Sequence, residues 1–205
     1  MKQEINNKTA LLIIDIQNDY FPGGTMELSA PNEAAEKAGK VLSLFRKNEM
    51  PVIHIQHIGV QEGATFFVPE TKGAEIHQSV APLETEKVIV KNFPNSFRKT
   101  ELLDYLKEKS ISNLVICGMM TDVCVSSTTR AAMDFGFHNT IITDAVTTRD
   151  RELNGKVIPA EQITESFLAG LNALGDCMQH LKQVKATSNN TETIWGRSLL
   201  LKKTF

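Results

Sequence analysis

Hydrophobic residues in this chain fall into two alternating patterns. Ala10 to Ile14 (ALLII) is continuously apolar, as expected of a parallel strand buried on both faces, and it stops abruptly at Asp15. From Pro31 to about Lys47, Ala34, Ala38, Val41 and Phe45 share one helical stripe, with Pro31 suited to the first turn. PVIHIQH then reads as a strand with Ile53 and Ile55 on one face and His54 and Gln56 on the other. Ile58 to Glu86 shows no sustained period, and a connection of that length in a small domain points to a lid or a pocket wall. The pattern resumes with a strand at Val88 to Val90 ending at Lys91, and a helix carrying Leu102, Leu103 and Leu106 with Thr100 as its cap. A strand at Leu114 to Cys117 leads through Gly118 to a helix over about Asp122 to Gly136, and a strand at Thr140 to Thr143 ends at Asp144. A helix over Pro159 to Leu174 places Ile163, Phe167, Leu171 and Leu174 on one stripe, stopped by Gly175, and a short last strand lies near Cys177 to Leu181. The alternation predicts one three-layer α/β/α, Rossmann-like domain over residues 1–184, with a mainly parallel sheet of about six strands. Residues 185–205 read as a tail, either flexible or docked through Trp195 and Leu199 to Leu201 on a neighbouring subunit.

Composition narrows the field. At 205 residues the chain can bury a full core without disulfides or a structural metal, and a net charge of −2 gives no basic footprint for nucleic acid. No apolar run approaches a membrane span, and the polar opening MKQEINNKT lacks the apolar core of a signal peptide. The three cysteines, Cys117, Cys124 and Cys177, show neither CxxC nor zinc-ligand spacing, so free thiols and a cytoplasmic location are the expectation. No GxGxxG follows Ile14, which argues against a dinucleotide site, and DIQ is not the DxD of an aspartyl phosphatase.

In an open parallel sheet ligands bind beyond the carboxyl ends of the strands. Here Asp15, His57, Lys91 and Asp144 stand at four such ends, and the turn at Gly118 leads to Cys124. Taken singly, each has a plain structural explanation: a turn aspartate, a solvated lysine, a buried inert cysteine. Taken together they offer a carboxylate, an ammonium and a thiol. A thiol with an ordinary pKa of about 8.5 is a weak nucleophile at neutral pH. Asp15 can take its proton and return it to a leaving amine, while Lys91 and the start of the helix favour the thiolate. His54 and His57, three apart on a strand, point to opposite faces, so they do not share a metal; His54 is expected to pack. Cys117 and Cys177 read as structural.

DIQNDYF with Asp15, VKNFPNSF with Lys91 and GMMTDVCVSSTTRAA with Cys124 together resemble the isochorismatase-like cysteine hydrolases, in the same order from about Lys8 to Leu181. The resemblance implies a catalytic triad of Asp15, Lys91 and Cys124 and a thioester acyl-enzyme formed from an amide or imide. It implies a cis peptide at Met119–Met120 and an oxyanion hole from the N–H groups of Met120 and Cys124. From motif position, Gln17, Phe21, His57, Phe66, Phe67 and Phe93 are expected to line the substrate pocket. The Asp-x-His metal motif of nicotinamidases is missing from HIQHIGVQEGA, so no metal and no cofactor are expected. The branch that it resembles most is metal-free and includes streptothricin-hydrolase-like enzymes acting on amides and lactams. Relatives of this kind are commonly dimers or tetramers. Asp122, where such relatives often carry histidine, leaves one contact near the pocket open. The competing expectations are a vinyl-ether hydrolase using Asp15 as acid, and a non-catalytic small-molecule binder.

Overall fold

The computed structural model describes residues 8–173 and the two-residue strand at 178–179. Its elements run β1 (Thr9–Ile14), α1 (Pro31–Lys47), β2 (Val52–His57), β3 (Lys87–Lys91), α2 (Leu102–Glu108), β4 (Asn113–Met119), α3 (Ser126–Asp134), β5 (His138–Thr147), β6 (Arg151–Leu153), β7 (Lys156–Ile158), α4 (Ala160–Asn172) and β8 (Met178–Gln179). The sheet order is β3-β2-β1-β4-β5-β8 and every pairing in it is parallel; β6 and β7 form a separate antiparallel hairpin. All six residues of β1 are buried, as the unbroken ALLII run predicts for a central strand. The side chains of α1 on the Ala34–Ala38–Val41–Phe45 stripe are buried in one apolar layer with Leu11, Ile13 and Val115; Leu12, Ile14, Ile53 and Ile116 face the other layer with Leu102, Leu106 and Leu171.

The strand order fixes where the site lies. From β1 the chain winds outward to β2 and β3, then returns to lay β4 on the other side of β1. The order therefore reverses between β1 and β4, and the crevice beyond their carboxyl ends is the expected ligand position. Gly118 makes the close approach there possible. Its φ is +141°, and a Cβ at this position would lie 2.2 Å from the Ile14 carbonyl oxygen.

Several expectations need correction. Thr140 to Thr143 is only the middle of β5, which runs from His138 to Thr147 through Asp144, so Asp144 does not close a strand. The reason is a register shift: Ile116 pairs with Ile141, but Gly118 pairs with Val146, and the extra residues of β5 are accommodated as an irregularity. The helix expected from Asp122 begins instead with a π turn over Thr121–Val125, and regular α3 starts only at Ser126. On α4, Ile163 and Leu171 are buried as expected, but Phe167 is 37% exposed and Leu168 takes its place in the core. Thr100 does serve the start of α2, accepting from the Leu102 N–H at 3.3 Å. Gly175, Cys177 and the tail lie outside the described residues, as does Leu174; β8 answers the short last strand.

The long segment between β2 and β3 carries only two short 3-10 turns, at Lys72–Ala74 and Gln78–Val80. It is laced onto the exit of β1. The Asn18 N–H donates to the Glu75 carbonyl and the His77 N–H to the Ile16 carbonyl, at 3.1 and 2.9 Å. The buried Asp19 carboxylate accepts from the Phe67 N–H at 2.6 Å and the Thr25 N–H at 3.2 Å. An ordered wall beside the β1 end results.

Candidate active site

Asp15 is the first residue after β1 and takes a left-handed backbone conformation, φ +50°, that turns its side chain off the strand direction. Lys91 ends β3, and Cys124 sits in the π turn after β4. The three side chains meet. Lys91 Nζ lies 2.7 Å from Asp15 Oδ2 and donates to Cys124 Sγ at 3.3 Å, and all three residues are almost wholly withdrawn from solvent. His57 joins them: its Nδ1 accepts from Lys91 Nζ at 2.8 Å. Adjacent strands explain this, because His57 and Lys91 are register partners at the ends of β2 and β3.

The charges of this cluster decide its resting state. Burial first, and then the Asp15 carboxylate, push the Cys124 thiol well above its ordinary pKa; Lys91 pulls the other way without prevailing. Burial opposes the Lys91 charge, but Asp15 and Cys124 outweigh it and hold its pKa above the ordinary value. Against the thiolate expected from the helix start and Lys91, burial and the Asp15 charge favour the thiol. An ammonium paired with one carboxylate is neutral as a unit, and a thiolate added to it would bury an uncompensated negative charge. Neither oxygen of the fully buried Asp15 carboxylate has a hydrogen bond of ordinary geometry; Oδ2 is held by its ion pair with Lys91.

The peptide Met119–Met120 is cis. The Met120 carbonyl accepts from the N–H groups of Val123 and Val125, at 3.2 and 3.1 Å. Among the described residues, no backbone carbonyl outside the helices and strands accepts from the Met120 N–H. Asp122 is occupied in holding this loop: its carboxylate accepts from the Thr148 hydroxyl and from Arg151 Nε at 2.9 Å, while Arg151 Nη2 reaches Met120 Sδ at 3.3 Å. The β6–β7 hairpin is thereby pinned to the loop that carries Cys124.

The residues expected around the pocket divide. His57 touches the cluster directly. Gln17 is buried, and its amide clamps backbone, donating to the carbonyls of His57 and Ala74 at 2.8 and 2.7 Å and accepting from the His57 N–H at 2.7 Å. Phe67 is fully buried against Tyr20, ring centroids 4.6 Å apart, and Phe66 is half-buried beside both. Phe21 stacks on His77 at 3.6 Å, and Phe93 lies under the Arg98 guanidinium at 3.9 Å. Tyr20, not singled out from sequence, senses the cluster: burial, then Cys124 and Asp15, raise its pKa well above the usual phenol value. Its place in DIQNDYF, five residues after Asp15, was the available signal. Arg151 and Thr148 had none, since their contact depends on the unforeseen extension of β5. His54 packs as expected, and Cys117 is buried with its thiol pushed up by burial.

Asp15, His57 and Cys124 each offer one donor atom within 4.8 Å of the others, a set with the chemistry to ligate a soft divalent cation. The cation they surround is the ammonium of Lys91.

An isochorismatase domain model matches residues 9–159. The chain belongs to the isochorismatase family. YddQ of Bacillus subtilis, named an isochorismatase family protein, is 48% identical over 166 residues, covering 81% of this chain and 92% of its own. Streptothricin hydrolase of Streptomyces noursei is 30% identical over 167 residues, 82% of this chain and 65% of its own. Among solved structures, an isochorismatase-type hydrolase from Oleispira antarctica superposes with a TM-score of 0.83 at 40% identity, covering 88% of this chain and 97% of that one. Family members are hydrolases of this α/β fold. Among the described residues, no helix is long and apolar enough to cross a membrane.

Proposed function

We propose that this isochorismatase-family chain is a cysteine hydrolase that cleaves a C–N bond in a small amide, imide, lactam or ureido compound. The observation that carries the reading is the buried contact of Cys124 with both Asp15 and Lys91 at the reversal point of the sheet. A vinyl-ether hydrolase needs the acid but has no use for a thiol held against it. The relative named streptothricin hydrolase supports the same class of bond.

Cys124 Sγ attacks the substrate carbonyl carbon as its proton passes to Asp15, so thiolate charge develops only where Lys91 can meet it. The carbonyl oxygen becomes negative and is met by the N–H groups of Met120 and Cys124. The C–N bond then breaks, the amine leaves with the proton from Asp15, and a thioester remains on Cys124. Water attacks the thioester, Asp15 takes its proton, the C–S bond breaks, and Sγ recovers a proton as the acid departs. A lactam follows the same path with its amine still tethered. Tyr20, kept protonated, and His57, kept neutral with its pKa lowered to about 4 by burial and Lys91, border this chemistry as polar walls.

The test is a panel of small amides, cyclic imides, lactams, ureido compounds and one vinyl ether, assayed for ammonia, amine or enol-derived product. Release of ammonia, or opening of an amide ring, is the expected result. Turnover of the vinyl ether alone would overturn the reading in favour of acid catalysis by Asp15.

A further inference from the structure

The Lys91 ammonium has three protons, and three groups surround it: it is ion-paired with Asp15 Oδ2 at 2.7 Å and hydrogen-bonds to His57 Nδ1 at 2.8 Å and Cys124 Sγ at 3.3 Å. Two of these belong to the reacting groups. We propose that His57, the third, is a positioning residue: a neutral acceptor that holds the Lys91 ammonium on the line between Asp15 and Cys124.

The geometry around His57 is built for that task. An ammonium held by two acceptors can still swing about the axis joining them, whereas a third acceptor off that axis fixes it. Lys91 is 1% exposed, so water does not replace a missing acceptor, and a proton left without one is costly in a buried site. His57 is held in turn. Gln17 clamps its backbone on both sides, donating to its carbonyl and accepting from its N–H. Gln17 follows Asp15 by two residues, so one short stretch of chain sets the base and, through His57, the direction of the cation. Phe67, 5.9 Å away ring to ring, backs the imidazole. Because an ammonium can only donate, Nδ1 must be unprotonated and the neutral ring must carry its proton on Nε2. The charged groups that bear on the ring are Lys91 and Asp15.

The inference rests on the cysteine-hydrolase reading for its bearing on turnover, but its test uses no substrate. In ¹⁵N-histidine-labelled full chain at pH 7, nitrogen shifts should show His57 as a single Nε2–H tautomer, and Lys91→Met should release it to a tautomeric mixture. An Nδ1–H ring, or a mixture already present in the unaltered protein, overturns the proposal. Iodoacetamide labelling of Cys124, read by peptide mass spectrometry at pH 8, separates aiming from packing. His57→Phe keeps a ring but no acceptor, and should label about 10- to 100-fold more slowly. His57→Asn puts an amide oxygen near the Nδ1 position and should label within about threefold of the unaltered protein. The reverse order, Phe near normal and Asn slow, would make His57 a packing residue and defeat the proposal. If the substrate panel shows no C–N cleavage while the tautomer is as described, the functional reading fails and the positioning role stands.

Discussion

Strand β2 carries two histidines three residues apart, and each ends in a buried or half-buried cluster with one carboxylate and one cation. On one face His54 donates from Nε2 to Glu86 Oε2 at 2.9 Å; Arg46 grips both oxygens of Glu86 at 2.7 Å, and the Leu83 N–H adds a further bond at 2.9 Å. Burial works against the Glu86 charge, yet Arg46, the Leu83 N–H and His54 together hold its pKa down to about 2. On the other face His57 accepts from Lys91, that ammonium is ion-paired with Asp15 Oδ2, and neither oxygen of Asp15 has a hydrogen bond of ordinary geometry. The difference lies in saturation. Every lone-pair direction that Glu86 uses meets a fixed donor, so it ties α1 to the edge of the sheet and has no capacity for chemistry. Asp15, held by an ion pair alone, keeps room to accept a proton.

Neutralising each carboxylate draws the sharpest contrast. Asp15→Asn removes the proton acceptor, and C–N turnover should fall about 100- to 10,000-fold. Glu86→Gln should leave turnover within about threefold while lowering the unfolding free energy by about 1–3 kcal/mol, measured by urea denaturation. Equal losses of turnover in the two variants would break the distinction between a saturated and an open carboxylate.

A smaller effect separates the clusters along the pH axis. Glu86 titrates lower in the fold, about 2, than its ordinary 4.5, so the folded protein binds fewer protons than the unfolded chain in that window. Its stabilisation is complete above 4.5 and is lost as pH falls through about 2. His57 is lowered from 6.5 to about 4, and its contribution is complete above 6.5 and lost as pH falls through about 4. His54 and His77 are lowered too and add to this upper step. Urea midpoints should therefore decline on acidification in two stages. Glu86→Gln should flatten the lower stage, and His57→Asn part of the upper one. A stability that rises as pH falls from 6.5 to 4 would contradict the histidine assignment, and one that rises from 4.5 to 2 the Glu86 assignment.

Much of the fold could be read from the chain because its signals are local. A continuous apolar run marks a doubly buried strand, and the Ala34 to Phe45 stripe marks α1 to the residue. Asp15, Lys91 and Cys124 were legible because each stands at the boundary of such an element. The remainder depended on contacts that no local pattern encodes. Asp144 lies within β5 because β5 slips register against β4 near Gly118, and that slip also brings Thr148 and Arg151 onto Asp122. Motif position alone does not show what Gln17 and Phe67 touch. Their partners are the backbone of β2 and the ring of Tyr20, both supplied by the fold of the long segment after β2. The direction of the Cys124 shift differs from the expected one for a related reason. The effect of a helix start and a lysine could be anticipated, but the depth of burial and the nearby Asp15 charge could not.

The central claim is that the thiol of Cys124 is the nucleophile. It is tested most directly by the turnover of Cys124→Ala on whichever amide, imide, lactam or ureido compound the unaltered chain hydrolyses, with folding checked by urea denaturation. Release of ammonia or ring-opened product should become undetectable while the protein stays folded. Retention of that activity in folded Cys124→Ala would contradict the account and make Asp15, acting as an acid, the group that carries the reaction.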